Sequence, residues 1–363
     1  MAGSSTLKLA GHALCLGIPL LAPLGVSLGV PWLSPLAVFG VFPFVSLLIG
    51  EDRSLPIAGL RRSLALVAYL DFLPRIYAAV WMGTLAWAAA YASRENPGTA
   101  GLAALTVSVG IGSALAICTA HELMHRRSPS DVLLARLMAA ACLYGHMPVE
   151  HFHHHATVGD VAAGATAPRG MSIYRFAPTD FLHGLRNAWS VESARLRRAR
   201  AGWWSNRVLQ DHALGLGLAQ LFFAGFGTAG LVVFVGQAVF AVFCFEVITY
   251  VHHYGLVRGE NEEAGPQHAW AHHCWLTNCL TFNNTFQSDH HLRPGVPYYE
   301  LHAMYGAPRL PASYLTMFCV ALVPPLWRAL MDPRLDALAQ AQARGIAMAR
   351  QELPEWLRAG RCR

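Results

Sequence analysis

The chain of 363 residues is 54% hydrophobic and only 13% charged, with a formal net charge of +6. Soluble domains usually carry about 25% charged residues, so this composition excludes an ordinary water-facing globular surface. The apolar residues also come in long blocks, and a helix needs roughly 20 of them to cross a bilayer. The composition therefore predicts an all-α integral-membrane protein.

Six apolar blocks are long enough to be transmembrane helices. They lie at 11–29, 32–50, 72–92, 99–120, 209–229 and 230–250. A later apolar run, 313–331, contains two prolines and an arginine, and we interpret it as a packed or interfacial helix. No small-residue cleavage site follows the first block, so we expect it to be retained. The chain is thus predicted to be one membrane-embedded domain over 1–363, a bundle of about six transmembrane helices with a helical, histidine-rich region outside the bilayer.

The basic residues predict how the chain is oriented. Most of them precede the first block, or lie between the second and third or the fourth and fifth blocks: Lys8, Arg53, Arg61, Arg62, Arg126, Arg127, Arg169, Arg175, Arg186 and the run RLRRAR (195–200). The connections on the opposite side contain one arginine, Arg94. Because lysine and arginine accumulate in cytoplasmic loops, we expect both termini to be cytoplasmic in a bacterial inner membrane. The positive charge then reflects orientation and contact with anionic lipids, not nucleic acid.

The 18 histidines are concentrated in the segments that follow the fourth and sixth blocks. The first cluster is HELMHRR (121–127). If the preceding helix continues, His121 and His125 are one turn apart and project from the same face. Two imidazoles so placed can bind one metal ion, and H-E-x-x-H alone is also typical of zinc proteases.

The second cluster is EHFHHHATVGD (150–160). Its histidines His151, His154 and His155 stand at positions i, i+3 and i+4, which is again one helical face. His153 points away from that face, so we expect it to be dispensable. The spacing predicts a second set of metal ligands.

The third cluster, EVITYVHHYGLVR (246–258), contributes His253 at the end of the sixth block. His252 is its neighbour, and a helix would turn it about 100° away. Glu246 lies inside the apolar block, where a carboxylate is costly and usually faces a polar site or partner. We therefore treat Glu246 as a candidate for orienting a ligand.

The fourth cluster is FNNTFQSDHH (282–291), which ends in His290 and His291. Gln287 precedes them at the spacing of the second cluster, so an amide stands where an H-x-x-H-H box has histidine. Asp289 is a further candidate for orienting an imidazole through its second nitrogen. Gln287 is a weak ligand, a residue that acts beside the metal while His272 or His273 substitutes as ligand, or a bystander with no metal near it. The spacing of Gln287, His290 and His291 favours the first two interpretations.

Gln287 and eight histidines make nine candidate ligands. One zinc ion takes three or four protein ligands, so nine of them fit two metal ions. Imidazole suits iron, zinc, copper and nickel, so the ligand type alone leaves the metal open.

In this order, the clusters resemble the integral-membrane, histidine-rich di-iron oxygenases. That family includes alkane monooxygenase and the hydroxylase component of xylene monooxygenase, with membrane fatty-acid desaturases as more distant relatives. The matching segments run from about residue 60 to 330 and include HELMHRR, HYGLVR (253–258), HAW (268–270), DHH (289–291), YYEL (298–301) and APRLP (307–311). By position, the resemblance implies iron ligands at His121, His125, His151, His154, His155, His253, His290 and His291.

Two departures from the family pattern matter. The second box is one residue shorter than in alkane hydroxylases and has the desaturase spacing. Gln287 replaces a histidine of the hydroxylases, as it does in some desaturases that act near the carboxyl end of their substrate. The resemblance therefore implies a di-iron enzyme that uses O2 to hydroxylate an unactivated C–H bond of an alkane, alkyl-aromatic or fatty acyl chain, with alkene formation as the alternative.

The electrons for such a reaction must come from outside the chain. The eight cysteines form no C-x-x-C pair, and no glycine-rich dinucleotide fingerprint is present. We expect a rubredoxin or ferredoxin with an NAD(P)H reductase, docked on the basic face near RLRRAR. A membrane zinc protease would leave three clusters unexplained, and a metal transporter would need more polar residues within the apolar blocks.

Overall fold

The computed structural model describes residues 9–52, 63–259 and 262–343, and this part of the chain is almost entirely helical. In chain order the helices are α1 (Gly11–Ser27), α2 (Leu33–Ile49), α3 (Leu64–Glu95), α4 (Gly98–Met124), α5 (Pro129–Ala141), α6 (Met147–Thr157), α7 (Ile173–Ala199), α8 (Arg207–His253), α9 (Trp275–Leu280), α10 (Gln287–Leu292), α11 (Tyr314–Ala321) and α12 (Pro324–Ala343). In the described residues the only β-type pairing is an isolated bridge between Ala271 and Arg309. The predicted all-α class is confirmed.

Three helices, α3, α4 and α8, are long and apolar enough to cross a membrane. The predicted blocks 72–92 and 99–120 lie inside α3 and α4. The blocks 11–29 and 32–50 form α1 and α2, which are apolar but shorter. The basic residues Lys8, Arg53, Arg61 and Arg62 lie outside the described residues.

The last two predicted blocks, 209–229 and 230–250, belong to the single 47-residue element α8. This element is broken at Gly227, whose φ of 65° and ψ of −159° are not helical and suit a residue without a side chain. The rings of Phe222 and Phe234 are 4.7 Å apart, whereas twelve residues of straight helix span about 18 Å. The chain therefore reverses at Gly227, and α8 consists of two antiparallel arms.

Helix α4 packs in the centre of the bundle. Tyr77 of α3 donates a hydrogen bond to the carbonyl of Gly112 at 2.7 Å, and Trp81 donates to Ser113 at 2.9 Å. On the other side, Gly110 lies so close to Phe240 of α8 that a Cβ atom would come within 2.8 Å of the ring. Small residues and interhelical hydrogen bonds are what hold membrane helices together, and here they place the ends of α4 and α8 next to each other.

The apolar run 313–331 forms two packed helices, α11 and the start of α12. Pro324 begins α12, a position where the missing N–H of proline costs little. Trp327 is fully buried, and its ring lies 5.0 Å from that of Tyr250 in α8. The interpretation of this run as packed helix is confirmed, with a break between the two helices.

Candidate metal centre

The end of α4 supplies the first two histidines. Because α4 ends at Met124, His121 lies in its last turn and His125 caps it. Their ring centroids are 5.4 Å apart. The Nε2 atom of His125 is 2.8 Å from Nε2 of His151 in α6. The helical spacing predicted for HELMH thus brings both imidazoles to one place.

Five histidines form a compact group that we call site A: His121, His125, His151, His155 and His290. One ligand nitrogen from each lies within 4.8 Å of those of all the others. The Nε2 atoms of His151 and His155 are 2.9 Å apart. A metal–nitrogen bond is about 2.0–2.1 Å long, so neighbouring ligands on one ion are roughly 3 Å apart. The nitrogens of site A have the spacing of ligands that share one ion.

A second group, site B, consists of His154, His253 and His291. The Nε2 atoms of His154 and His291 are 3.2 Å apart. His253 donates from Nδ1 to the carbonyl of His268 at 2.8 Å, which leaves its buried Nε2 without a hydrogen-bond partner. A hydrogen bond of this kind sets the tautomer and the ring orientation of a metal-binding histidine.

Gln287 lies beside site B. Its Nε2 atom is 2.8 Å from Nε2 of His291, and its buried Oε1 has no hydrogen-bond partner. Turning the amide by half a turn would place the oxygen next to His291, and an amide oxygen is a metal ligand whereas the NH₂ group is not. Site B therefore offers three imidazoles and one amide.

The two sites divide both histidine boxes between them. His151 and His155 of α6 belong to site A, and His154, one residue away, belongs to site B. In α10, His290 belongs to site A and His291 to site B. The rings of His155 and His291 are 5.2 Å apart, so the two sites are immediate neighbours.

The residues of both sites fit a metal ion. The Nε2 atoms of His121, His253 and His290 are buried without a hydrogen-bond partner, and an unpaired buried polar atom costs about 1–3 kcal/mol. Burial lowers the pKa of His125 to about 3, with a contribution from His155, and that of His155 itself to about 4. The rings are therefore neutral at pH 7, which is the form that binds metals. Five and three nitrogen donors suit iron, zinc, copper or nickel.

Glu246 and Asp289, the two acidic candidates, form hydrogen bonds with residues other than the histidines of sites A and B. Glu246 Oε1 accepts a hydrogen bond from the hydroxyl of Tyr144 at 2.8 Å. Asp289 accepts from Arg293 Nε at 2.6 Å and from the backbone N–H of His302 at 2.9 Å. Burial by itself would raise the pKa of Asp289, but the hydrogen bonds from His302 and Arg293 lower it to about 2. Asp289 thus connects α10 with the loop that follows it.

The remaining histidines of this region lie outside both groups. His268 contributes its carbonyl to His253. His273 stacks on Phe286 with ring centroids 4.1 Å apart, and His272 Nδ1 is 4.0 Å from a carboxylate oxygen of Glu51. Neither His272 nor His273 takes the place of the histidine that Gln287 replaces.

The fourth cluster is held in place by residues that no metal motif marks. Before α10 the chain turns through left-handed conformations at Phe282 and Asn283, with φ of 51° and 55°. Asn283 donates to the carbonyl of Tyr298 at 2.8 Å and lies 3.3 Å from His12 Nε2 of α1. The Tyr298 hydroxyl donates to the carbonyl of Leu70 in α3 at 3.1 Å. Only the family-like segment YYEL hinted at this bracing from the sequence.

Comparison with known proteins agrees with this geometry. The sequence model of the fatty acid desaturase family matches residues 97–321, a range that includes every histidine of sites A and B. The chain is similar to alkane 1-monooxygenase 1 of Pseudomonas aeruginosa, with 33% identity over 87% of this chain and 86% of that protein. Alkane 1-monooxygenase 2 of Alcanivorax borkumensis is 31% identical over 84% and 82% of the two chains.

The xylene/toluene monooxygenase hydroxylase component of Pseudomonas putida is 32% identical over 65% of this chain and 66% of its own length. The alkane monooxygenases are therefore matched over a larger part of the chain. The two alkane monooxygenases are matched over more than four fifths of both chains, whereas the xylene/toluene component is matched over about two thirds.

Proposed function

The chain belongs to the fatty acid desaturase family and is an oxidoreductase of the alkane monooxygenase type, and we propose that it uses O2 to hydroxylate an unactivated C–H bond of an apolar substrate. The observation that carries this proposal is the pair of adjacent sites A and B, both of which take ligands from α6 and α10. Two neighbouring sites with nitrogen donors suit a reaction that needs two metal ions side by side.

We assign an iron ion to each site. The five histidines of site A would hold one, and the three histidines of site B would hold the other with the amide of Gln287 beside it. Bound iron would supply the activation of O2 towards a C–H bond, a redox chemistry that zinc does not offer.

The residues of the chain place this chemistry at the ends of apolar helices. His121 lies in the last turn of α4, and His253 is the last residue of α8. A substrate dissolved in the bilayer would reach the sites along these helices without entering water. An alkane, an alkyl-aromatic compound or a fatty acyl chain satisfies this requirement, and the named activities of the relatives favour an alkane. Formation of an alkene is the alternative, favoured by Gln287.

Product analysis tests the proposed function. The purified protein, with rubredoxin or ferredoxin and an NAD(P)H reductase, is incubated with alkanes, alkylbenzenes and fatty acids. We expect an alcohol that contains one atom from 18O2, detected by mass spectrometry. An alkene without the label would indicate desaturation, and the absence of any O2-dependent product would reject both.

Metal analysis of the same preparation separates the other classes of protein. Two tightly held irons per chain support the oxygenase. One zinc would indicate a protease, and weakly held, exchangeable ions would indicate a transporter.

We propose that the external electron donor docks on the basic end of α7. Arg197, Arg198 and Arg200 are exposed there, whereas Arg195 donates to the buried Glu192 at 2.8 Å and is used internally. An acidic iron–sulfur protein would be attracted by the three exposed charges. Reversing Arg197 and Arg198 to glutamate should raise the KM for the donor about tenfold (~1.4 kcal/mol) and weaken its salt dependence. Arg175→Glu, at the other end of α7, is the control, and equal effects in both variants would reject the docking site.

We also propose six membrane crossings with both termini and the metal centre in the cytoplasm. The reversal of α8 at Gly227 supports two crossings in that helix, and α1 and α2 would form a shorter hairpin. Reporter fusions near residues 95 and 228 should give an external signal, and fusions near 160 and 340 a cytoplasmic one. A cytoplasmic signal at 95 would reject this topology.

A further inference from the structure

A small polar cavity lies beside sites A and B. Its volume is about 40 Å³, and one water molecule needs roughly 10–15 Å³, so there is room for a few. His151, His154 and Gln287 line one side of it, and Tyr144 and Asp180 line another. Asp180 of α7 belongs to neither site, and its presence at the cavity calls for a separate explanation.

Asp180 connects the cavity with the outside of the bundle. It is half-buried, and the neighbouring His183, also half-buried, lies close enough to influence its ionisation. The two side chains flank Gly164, where a Cβ atom would come within 2.8 Å of Asp180 Oδ1 and 3.2 Å of His183 Cβ. Asp180 also accepts a hydrogen bond from the backbone N–H of Ala165. Burial raises the pKa of Asp180, which favours its protonated form more than in water.

Glu246 of α8 faces Asp180 from the interior. It is 1% exposed, its Oε1 accepts from Tyr144, and its Oε2 receives no N–H or O–H donor. The carboxyl groups of Glu246 and Asp180 lie close enough for a hydrogen bond when one of them is protonated, and Tyr144, which donates to Glu246, lines the cavity together with Asp180. Two neighbouring carboxyl groups in a poorly solvated place cannot both ionise without a large cost, so such a pair retains a proton.

Asp180 and Glu246 differ from three other buried carboxylates of this chain, each of which is paired with an arginine. Asp131 is paired with Arg75 at 2.7 Å, Asp211 with Arg136 at 2.7 Å and Glu192 with Arg207 at 2.5 Å. In the part of the chain that the structure describes, no arginine or lysine bonds to Asp180 or Glu246. A carboxylate that serves only to hold helices together would have such a partner, as those three do.

A third metal site does not explain the pair either. Glu150 lies on the same cavity and would be the third acidic ligand. Among the described residues, however, the groups whose ligand atoms lie close enough to share an ion are sites A and B, without any of these carboxylates.

We propose that Asp180, sharing a proton with Glu246, delivers protons from solvent to the cavity beside sites A and B. The proposal rests on the proposed function, because hydroxylation consumes O2, two electrons and two protons for each alcohol and water formed. The electrons come from the iron–sulfur donor and the protons from water. Each proton passes from the side of His183 to Asp180 and then through the waters of the cavity to the space between the sites. Tyr144 holds Glu246 by its hydrogen bond, Glu246 positions Asp180, and each proton that Asp180 gives away is replaced from solvent on the side of His183.

Infrared spectroscopy of the purified protein in H2O and D2O observes the carboxyl pair without any turnover. At pH 7 we expect a band of a protonated carboxyl group that shifts in D2O and disappears in both Asp180→Asn and Glu246→Gln. Burial, with a contribution from Asp180, raises the pKa of Glu150 to about 8, so Glu150→Gln is measured alongside to identify the band of that residue separately. If no band responds to either substitution, the pair holds no proton and the proposal is rejected.

Turnover gives the second test. Asp180→Asn should still bind two irons and have an unchanged KM for substrate. Its kcat should fall about 100-fold, which is the lower end of the range for losing a positioned proton carrier, and the solvent deuterium isotope effect on kcat should rise. Asp180→Glu should recover part of kcat, which a merely structural role would not predict. Asp336→Asn, which breaks an exposed pair with Arg169, is the control and should behave as wild type.

The outcomes separate this proposal from the proposed function. If wild type forms no O2-dependent product, the proposed function fails, and the infrared bands still decide whether a shared proton exists. If wild type turns over and Asp180→Asn equals it, only the proton route fails. Equal loss of iron in Asp180→Asn and Asp180→Glu would show a structural role and also reject the route.

Discussion

Site A and site B both take ligands from α6 and α10, with α4 completing site A and α8 completing site B, but their donors differ in number and kind. Site A combines five histidines, whereas site B has three histidines and the amide of Gln287. Neighbouring residues on one helix, His154 and His155, serve different sites. A histidine box in the sequence is therefore not the ligand set of one metal ion, since each box contributes to both.

The difference in donors should also give the two sites different affinities for iron. Imidazole binds iron more strongly than a neutral amide, so we expect the ion in site B to be held less tightly than that in site A. An ion with weaker or fewer protein ligands has room for O2 or water. The following predictions use substitutions in each site to break or sharpen this contrast.

The largest effect is expected for removing a ligand of site A. His155→Ala should lower turnover by more than the roughly 10–100-fold typical of residues that only support a ligand, and iron should fall from two to about one per chain. His153→Ala, in the same helix but in neither site, should be much milder. Product formation and metal analysis check both, and normal iron and activity in His155→Ala would contradict its assignment to site A.

A smaller loss is expected at Gln287 of site B. Gln287→Ala should lower turnover about 10–100-fold, the range for residues that tune a metal site, with little loss of iron. The reason is that three histidines remain to hold the ion while the group beside it is gone. Kinetics and iron content on one preparation measure this. Wild-type turnover with the same products would show that the position has no catalytic role.

Gln287→His should make site B resemble site A. We expect two irons and measurable activity, with an altered ratio of alcohol to alkene. Under mild chelation the wild type should lose about one iron first, and the variant should lose its irons together and more slowly. Metal analysis over time follows this. Two irons lost at one rate from the wild type would mean that the sites do not differ in affinity.

The smallest effect is expected for Asp289, which holds α10 from outside both sites. Asp289→Asn weakens the hydrogen bonds from Arg293 and His302 and should lower the free energy of unfolding by about 1–3 kcal/mol. Both irons and most of the activity should remain. Thermal unfolding in detergent measures the change, and loss of iron at unchanged stability would instead connect Asp289 with a metal ligand.

Helix periodicity accounts for much of what the sequence predicted. The spacing of His121 and His125, and of His151 and His155, puts each pair on one face, and the structure places each pair together. The apolar blocks likewise predicted the helices, and Gly227 supplies the reversal between the last two. These features depend on residues within one or two turns of each other, so local sequence is sufficient.

Contacts between distant parts of the chain determine which histidines share a site. His154 joins site B because His253 and His291 approach it from α8 and α10, and no spacing within α6 encodes that. The position of α10 is in turn set by Asn283, Tyr298 and Leu70, which are far apart in sequence.

Asp180 is the clearest example of a residue whose proposed role cannot be predicted from the sequence alone. It occupies an unremarkable position in α7, and no motif in the sequence points to it. Its proposed role follows only from the folded structure, in which Tyr144 and the histidines line one cavity with Asp180, and Glu246 bonds to Tyr144. The sequence by itself determined which residue types are available and which face of each helix they occupy, because helix geometry is local. The packing of α4, α6, α7, α8 and α10 decided which of them act together, because interhelical contacts join residues that the chain separates by up to hundreds of positions.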